Sequence, residues 1–482
     1  MTFEPHTPSE VAPPPAEGNG ILLPQPAAAL PDGYIVEEYL VGGSATSFEA
    51  ADSPDDGFWT VSPADEADYR TRVVVRRPTD PAAFSGTVLV EWFNVSAIEA
   101  APDWGYTSEE IGREGHAYIG VSAQAQAIEG GETILDVDVD EADAAEAGVD
   151  TDKSGLRNLD PERYGTLTHP GDAYSFDIFS QIGRLAVDGP GALLGELDPE
   201  QVIAIGESQS AMFLTTLINA VHPLAPVFDG FLVHSRGATV PAVDGSYVTS
   251  RATSETAGEG DESPAVLVRT DLDVPVFIFE AETDLTLLEY ARARQDDTDL
   301  VRTWEVAGTA HADAQTLRAV IGGPRDPAVG SILGCGSINT GPHKEVLQAG
   351  LHHLVRWVAG GPPPPEAPRL EMEDDDLALV RDPYGNALGG VRNPLVDVPH
   401  ATLSGDPAPV EDETDGQFGI CMLFGSTNPF SQDDLVDLYG TADAYLDQFQ
   451  RSAADAVAEG FLLAPDADEL IAEAEANRAL FP

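Results

Sequence analysis

The sequence predicts an α/β protein with a mostly parallel central sheet flanked by helices. Three observations carry that prediction. Short apolar, β-branched runs alternate with helix-length segments, as in chains that wind helices onto both faces of a sheet. One such run, Val202-Ile203-Ala204-Ile205, passes through Gly206-Glu207-Ser208-Gln209-Ser210 directly into an apolar helical stretch from Ala211. Two later runs end in residues of different chemistry, first carboxylates and then a histidine.

The elements follow in chain order. Residues 34–41 and 69–77 read as β-strands and as an antiparallel opening, the second carrying Arg70-Thr71-Arg72-Val73-Val74-Val75-Arg76. Thr87 to Phe93 is the next strand, and a helical stretch from about Thr107 to Gly115 leads to the strand Ala117 to Ala123. After the Ser208 turn come Phe228 to His234, then Val274 to Phe279, a continuous apolar run of buried-strand type, then Arg302 to Ala307. Helix 343–359 sets Val346, Leu347, Leu351, Leu354, Val355 and Val358 at mixed three and four spacings and should pack on the sheet.

The domain plan is a Pro-rich N-terminal extension over 1–32, a core over 33–361 with an insertion at about 124–170, and a C-terminal extension over 362–482. Pro13-Pro14-Pro15 and Pro24-Gln25-Pro26 mark the first as mobile or loosely packed. The last follows Pro362-Pro363-Pro364-Pro365 and holds helices near 431–438, 440–460 and 466–479. Its apolar runs are too few for a core of its own, so it should pack on the body.

Gly206 to Ser210 reads as a nucleophile elbow. A serine on a tight strand-to-helix turn is held in a strained conformation with its Oγ above the sheet and the following amide aimed at the same space. The second small position is Ser210 rather than glycine, which fits where only a small side chain is required. Such a serine needs an acid and then a histidine from later strand ends. Glu280-Ala281-Glu282-Thr283-Asp284 supplies the acid, with Asp284 favoured by loop position and Glu282 as its competitor. Gly308-Thr309-Ala310-His311 supplies the base, His311. The oxyanion donors expected are the Gln209 amide and an amide of Asn94 or Val95, on the loop after the Thr87 to Phe93 strand. His234, Arg236 and His343 are candidates for the substrate pocket.

These strings resemble the alpha/beta hydrolase domain family of large bacterial and archaeal serine hydrolases. The resemblance rests on the elbow, on Val90-Glu91-Trp92-Phe93-Asn94-Val95, on Asp160-Pro161-Glu162-Arg163-Tyr164-Gly165 and on His169-Pro170-Gly171-Asp172-Ala173-Tyr174-Ser175. It extends to Gly341-Pro342-His343, Trp357 to Pro363, and Cys421-Met422-Leu423-Phe424-Gly425-Ser426-Thr427. It implies an α/β-hydrolase fold and carboxylic-ester hydrolysis, with Ser208 as nucleophile, Asp284 as acid and His311 as base. No metal and no organic cofactor is implied. The same machinery would serve an acyltransferase or a perhydrolase, and a catalytically silent binding protein of this fold is the alternative from another class.

Composition narrows the partners. The 83 acidic and 24 basic residues give a net charge of −59, and Lys153 and Lys344 are the only lysines. Nucleic acid and anionic membrane are poor partners for such a surface, so a small-molecule ester is the partner expected. The balance suits concentrated salt, where the Debye length shrinks to about 3 Å at 1 M; a halophilic source is the leading expectation, beside an acidic protein of a GC-rich genome. No run approaches the roughly 18 to 20 apolar residues of a membrane span. No signal peptide is visible, so a cytoplasmic location is expected and a processed secreted form stays open. Asp136 to Asp143 is read as a solvated loop, since it lacks calcium-ligand spacing, and the insertion as a wall of the site. Asp172 is read as the cap of the helix that follows it. Cys335 and Cys421 fit no metal-type spacing; a single long-range disulfide and two packing thiols both stay open.

Overall fold

The computed structural model describes residues 3–131, 154–247, 264–373, 377–408 and 419–482. Among these, nine strands form one sheet: β1 (Glu10–Ala12), β2 (Tyr34–Asp52), β3 (Thr60–Pro78), β4 (Thr87–Trp92), β5 (Ala117–Val121), β6 (Gln201–Glu207), β7 (Gly230–His234), β8 (Val276–Ala281) and β9 (Val301–Val306). Their order is β1-β2-β3-β5-β4-β6-β7-β8-β9. The first three and the β3–β5 pair are antiparallel, and β5 through β9 are parallel. This is the α/β-hydrolase fold.

The apolar runs are continuous because both faces of the parallel part are covered, and the two-residue period decides which face each side chain enters. Val202, Ala204, Val276 and Ile278 enter one core; Ile203, Ile205, Phe277 and Phe279 enter the other. The first core is closed by helix α2 (Ser175–Asp188) and helix α3 (Gln209–Thr216), with Trp92 lying 4.9 Å from Phe179 and 5.3 Å from Phe213 between ring centroids. The second is closed by α1 (Pro102–Glu114) and α5 (His343–Val358). Helix α4 (Ala314–Ile321) follows β9.

Two expectations of length and order are corrected. β2 and β3 reach far past the 34–41 and 69–77 runs: their outer halves are joined by ladder hydrogen bonds, the outer half of β3 is mostly exposed, and that of β2 buries Ala45, Thr46, Ser47 and Phe48 in a row with no apolar period. The N-terminal extension is packed on the body over its described residues. β1 pairs with β2, Phe3 N–H donates to Leu224, and Ala27 and Ala28 donate to the Ala319 carbonyl. A Pro-rich chain offers few donors but keeps its carbonyls, and buried arginines take them: Arg72 donates to Leu22 at 2.6 Å and Arg76 to Pro24 at 3.2 Å.

The C-terminal region lies on the body. Helices α6 (Gln432–Tyr439), α7 (Ala442–Glu459) and α8 (Ala464–Ala476) bury Leu435, Tyr445, Phe449 and Leu470 in the first core, and Phe461 packs 5.1 Å from Trp304 in the second. A two-stranded ribbon, β10 (Ala401–Ser404) with β11 (Ser426–Pro429), lies between. No helix of the described residues is long and apolar enough to cross a membrane.

Cys335 and Cys421 are joined in a disulfide with Cα atoms 5.4 Å apart, spanning 86 positions. It ties the segment after α4 to the stretch preceding β11. Replacing both with serine should cost about 2–4 kcal/mol of stability. Thermal unfolding in high salt checks this: reductant should lower the wild-type midpoint toward that of the double variant and leave the variant unmoved.

Candidate active site

Ser208 stands between β6 and α3 at φ 59° and ψ −122°, a positive φ that a residue with a Cβ seldom adopts. Its amide donates to the His234 carbonyl on the neighbouring strand at 2.9 Å. The sequence explains why the turn closes this tightly. A Cβ on Gly206 would stand 3.1 Å from the Ser210 Cβ and 3.0 Å from Leu214, so glycine at 206 and a small residue at 210 admit the helix onto the strand.

Ser208 Oγ lies 2.8 Å from His311 Nε2, and His311 Nδ1 lies 2.6 Å from Asp284 Oδ1. Asp284 Oδ2 accepts the Ala281 amide at 2.6 Å, which fixes the carboxylate. With a carboxylate at Nδ1 the ring proton sits there, leaving Nε2 to accept from the serine hydroxyl. Burial alone would lower the His311 imidazole; Asp284 and Glu207 beside it outweigh burial and raise it.

Glu282 points elsewhere. It accepts the Gly308 amide at 2.6 Å, the Gly405 amide at 3.0 Å and Arg381 at 3.1 Å, so it braces the β8 and β9 ends against the C-terminal region. The His311 loop is clamped all round: Ala307 donates to Val391, Ala312 to Leu423, and Asn339 Nδ2 to Gly308 and Ser404 carbonyls.

Of the three oxyanion-donor candidates, Gln209 opens α3, where first-turn amides have no intrahelical partner. The Val95 amide donates at 3.3 Å to Gln209 Oε1, so in this state the glutamine side chain sits on that donor. The Asn94 amide is committed to the Ala100 carbonyl at 2.9 Å and is withdrawn as a donor; the loop closes on itself there. Its side chain instead holds Glu207, donating to the backbone carbonyl at 3.1 Å and to Oε2 at 3.2 Å.

His234, Arg236 and His343 do not line a pocket, because all three are fully buried. Arg236 donates to the Val266 carbonyl at 2.8 Å and lies over the Tyr290 ring. Asp172 does not cap the helix after it. It accepts the Ala125 amide at 2.7 Å and Ser175 Oγ at 3.2 Å, while His169 bonds Ala123 and Gly171. The acidic run Asp136 to Asp143 lies outside the described residues. Glu110, Glu114 and His352 come within metal-ligand reach of one another. Arg113 donates to Glu110 at 2.9 Å and Arg356 stands 3.4 Å from His352 Nε2, so two guanidinium groups already serve that cluster.

A family model described as "Alpha/beta hydrolase domain" matches residues 10–472. The chain belongs to this family. No curated protein matches it. Solved structures similar to this hydrolase include a putative dienelactone hydrolase from Klebsiella pneumoniae (10% identity, 55% of this chain and 85% of that one, TM-score 0.24). A fungal esterase of Rhizomucor miehei (11%, 60% and 79%, TM-score 0.29) and a thermostable esterase from Pseudomonas putida (10%, 64% and 83%, TM-score 0.31) are further examples.

Two site residues escaped the sequence. Glu207 precedes Ser208 and reaches within 3.3 Å of His311 Nε2. Asp103 Oδ1, in the first turn of α1, lies 2.9 Å from His234 Nδ1; His234 Nε2 meets His343 Nε2 at 2.6 Å, and His343 Nδ1 meets the Ala310 carbonyl at 2.9 Å. The carbonyl can only accept, so His343 donates to it through Nδ1. Neutral His343 then accepts at Nε2 from His234, whose Nδ1 must accept in turn, and Asp103 therefore carries the O–H. Burial drives each group to that neutral form: Asp103 up to about 8, His234 down to about 3, His343 well below its ordinary range. This uncharged row holds Ala310, next to His311. A signal existed in Glu91, a carboxylate inside a buried strand. It accepts the Asp103 and Trp104 amides at 3.1 and 2.9 Å, anchoring the start of α1.

The signs can be worked out. Between about pH 4 and 8, folded hydrolase keeps an Asp103 proton that the unfolded chain has lost, so this group makes stability fall as pH rises through that window. His234, lowered when folded, makes stability fall as pH drops below its ordinary value of about 6.5. Asp103→Asn removes only the first effect. Denaturant unfolding should show the wild type losing at least about 1.4 kcal/mol relative to the variant between pH 5 and pH 9. A difference independent of pH would contradict a protonated Asp103.

Proposed function

We propose that this chain is a serine hydrolase that cleaves carboxylic esters of small molecules through an acyl-enzyme on Ser208. The observation that carries the reading is the hydrogen-bonded row Ser208, His311, Asp284 behind a positive-φ elbow. His311 Nε2 takes the Ser208 proton as Oγ bonds the ester carbon, and the carbonyl electron pair moves to oxygen. The Gln209 amide and, once the Gln209 side chain releases it, the Val95 amide receive that oxyanion. The proton then passes from Nε2 to the leaving alkoxide, and a water repeats the sequence to free the acid. Asp284 keeps the ring tautomer and stabilises the imidazolium. The order Ser, Asp, His along the chain is that of this fold's hydrolases.

Hydrolysis of p-nitrophenyl esters, followed in dilute buffer and in multimolar salt, tests the reading. Wild type should turn over, best in salt, since screening relieves repulsion within a chain of net charge −59. Ser208→Ala should abolish turnover, and Asp284→Asn should lower kcat by about 10⁴ through the wrong tautomer. A folded wild type that hydrolyses no ester and takes no fluorophosphonate label in any salt would leave a binding protein as the reading.

A further inference from the structure

Glu207 is a buried carboxyl at the end of β6 that the mechanism above does not use. Oε2 is held by Asn94 Nδ2 at 3.2 Å, and Oε1 lies 3.3 Å from His311 Nε2, the nitrogen that Ser208 Oγ approaches at 2.8 Å. We propose that Glu207 is a second carboxyl on the base, holding His311 at Nε2 as Asp284 holds it at Nδ1 and stabilising the imidazolium that forms when Ser208 attacks. The proposal rests on the reading of Ser208 and His311 given above.

The geometry makes this contact selective for the transition state. In the resting enzyme Nε2 carries a lone pair turned to the serine hydroxyl, and no hydrogen stands between it and a carboxylate. Once Ser208 has given up its proton, Nε2–H lies between the former hydroxyl oxygen and Glu207 Oε1, and the contact becomes a charge-assisted hydrogen bond. An interaction made only after proton transfer lowers the barrier without deepening the ground state. Glu207 neither gives nor takes the proton: it leaves Ser208, rests on Nε2 and departs with the alkoxide. Asn94, whose amide is spent on its own loop, serves by fixing the carboxyl.

The groups facing Glu207 set when it is charged. From the β9 loop comes His311, from the β8 end Asp284, from α1 Asp103 and Tyr106, and from the β4 loop the uncharged Asn94. Burial first, then the Asp284 carboxylate, push it up to about 8, with His311 opposing. The charged form therefore accumulates above neutrality, and its assistance to His311 grows with pH.

Glu207→Gln, which keeps the size and an acceptor for Asn94, tests this with two readouts. The ratio of wild-type to variant kcat/KM for p-nitrophenyl acetate should stay within about twofold at pH 6 and climb to about tenfold by pH 9, the weight of one pKa unit. A ratio constant across that range would overturn the proposal, because a purely structural loss carries no pH dependence. In parallel, the His311 imidazole is titrated by NMR in Ser208→Ala chains with histidine selectively labelled. Its midpoint should fall by about one unit when Glu207 is replaced. An unchanged midpoint overturns the proposal whatever the activity; a shifted midpoint in a chain whose wild type cleaves no ester supports the contact and counts against the hydrolase reading instead.

Discussion

The constraint on which the rest depends is the backbone of one residue. Ser208 holds a positive φ that costs about 1–3 kcal/mol for a residue with a side chain. The packing around it holds that conformation: its amide is bound to His234 on β7, its carbonyl accepts the Met212 amide as α3 begins, and the helix lies so close to Gly206 that a Cβ there would be crowded. Sheet, helix and turn thus fix the direction of Oγ before any partner is considered. Everything else in the site brings His311 to that fixed point.

Bringing His311 there takes chain from across the sequence. His311 lies on a loop whose amides and carbonyls are bound by Glu282, Asn339, Val391, Leu423 and His343, so the region after residue 362 forms part of the site's frame. Buried carboxylates recur as the fasteners. Glu91 holds the start of α1, Glu282 holds Gly308 and Gly405, and Glu305 takes the Leu370 amide together with Arg294. Part of the chain's acidity is therefore structural: carboxyl oxygens accept backbone amides that would otherwise be buried unpaired. Beside them the row Asp103, His234, His343 holds a backbone carbonyl uncharged, which suits a position one residue from His311, where a fixed charge would bias its titration.

What the sequence disclosed follows from where periodicity and spacing carry information. The parallel strands were legible because burial on both faces writes itself as unbroken apolar runs, and Ser208 because the elbow demands small residues at 206 and 210. Asp284 and His311 were legible by their places after strands; Glu282 competed because side-chain direction at a strand end is decided by contacts such as Gly405, more than a hundred positions away. The outer halves of β2 and β3 were hidden because ladder bonds need no apolar pattern. The N-terminal segment was misread because proline signals disorder by composition, while its carbonyls serve buried Arg72 and Arg76. His234, Arg236 and His343 suggested a pocket, since a polar residue after a strand or a glycine-rich loop looks the same whether it faces a cavity or a buried partner.

The most direct test of the central claim is to catch the acyl group on Ser208. Rapid acid quench of the salt-stabilised protein with a slowly deacylating p-nitrophenyl ester, followed by peptide mass spectrometry, should show one acyl mass increment on the peptide containing Ser208 and a burst of about one nitrophenol per chain. A chain that turns over ester steadily with no burst and no adduct, or with the adduct on another residue, would contradict nucleophilic catalysis by Ser208.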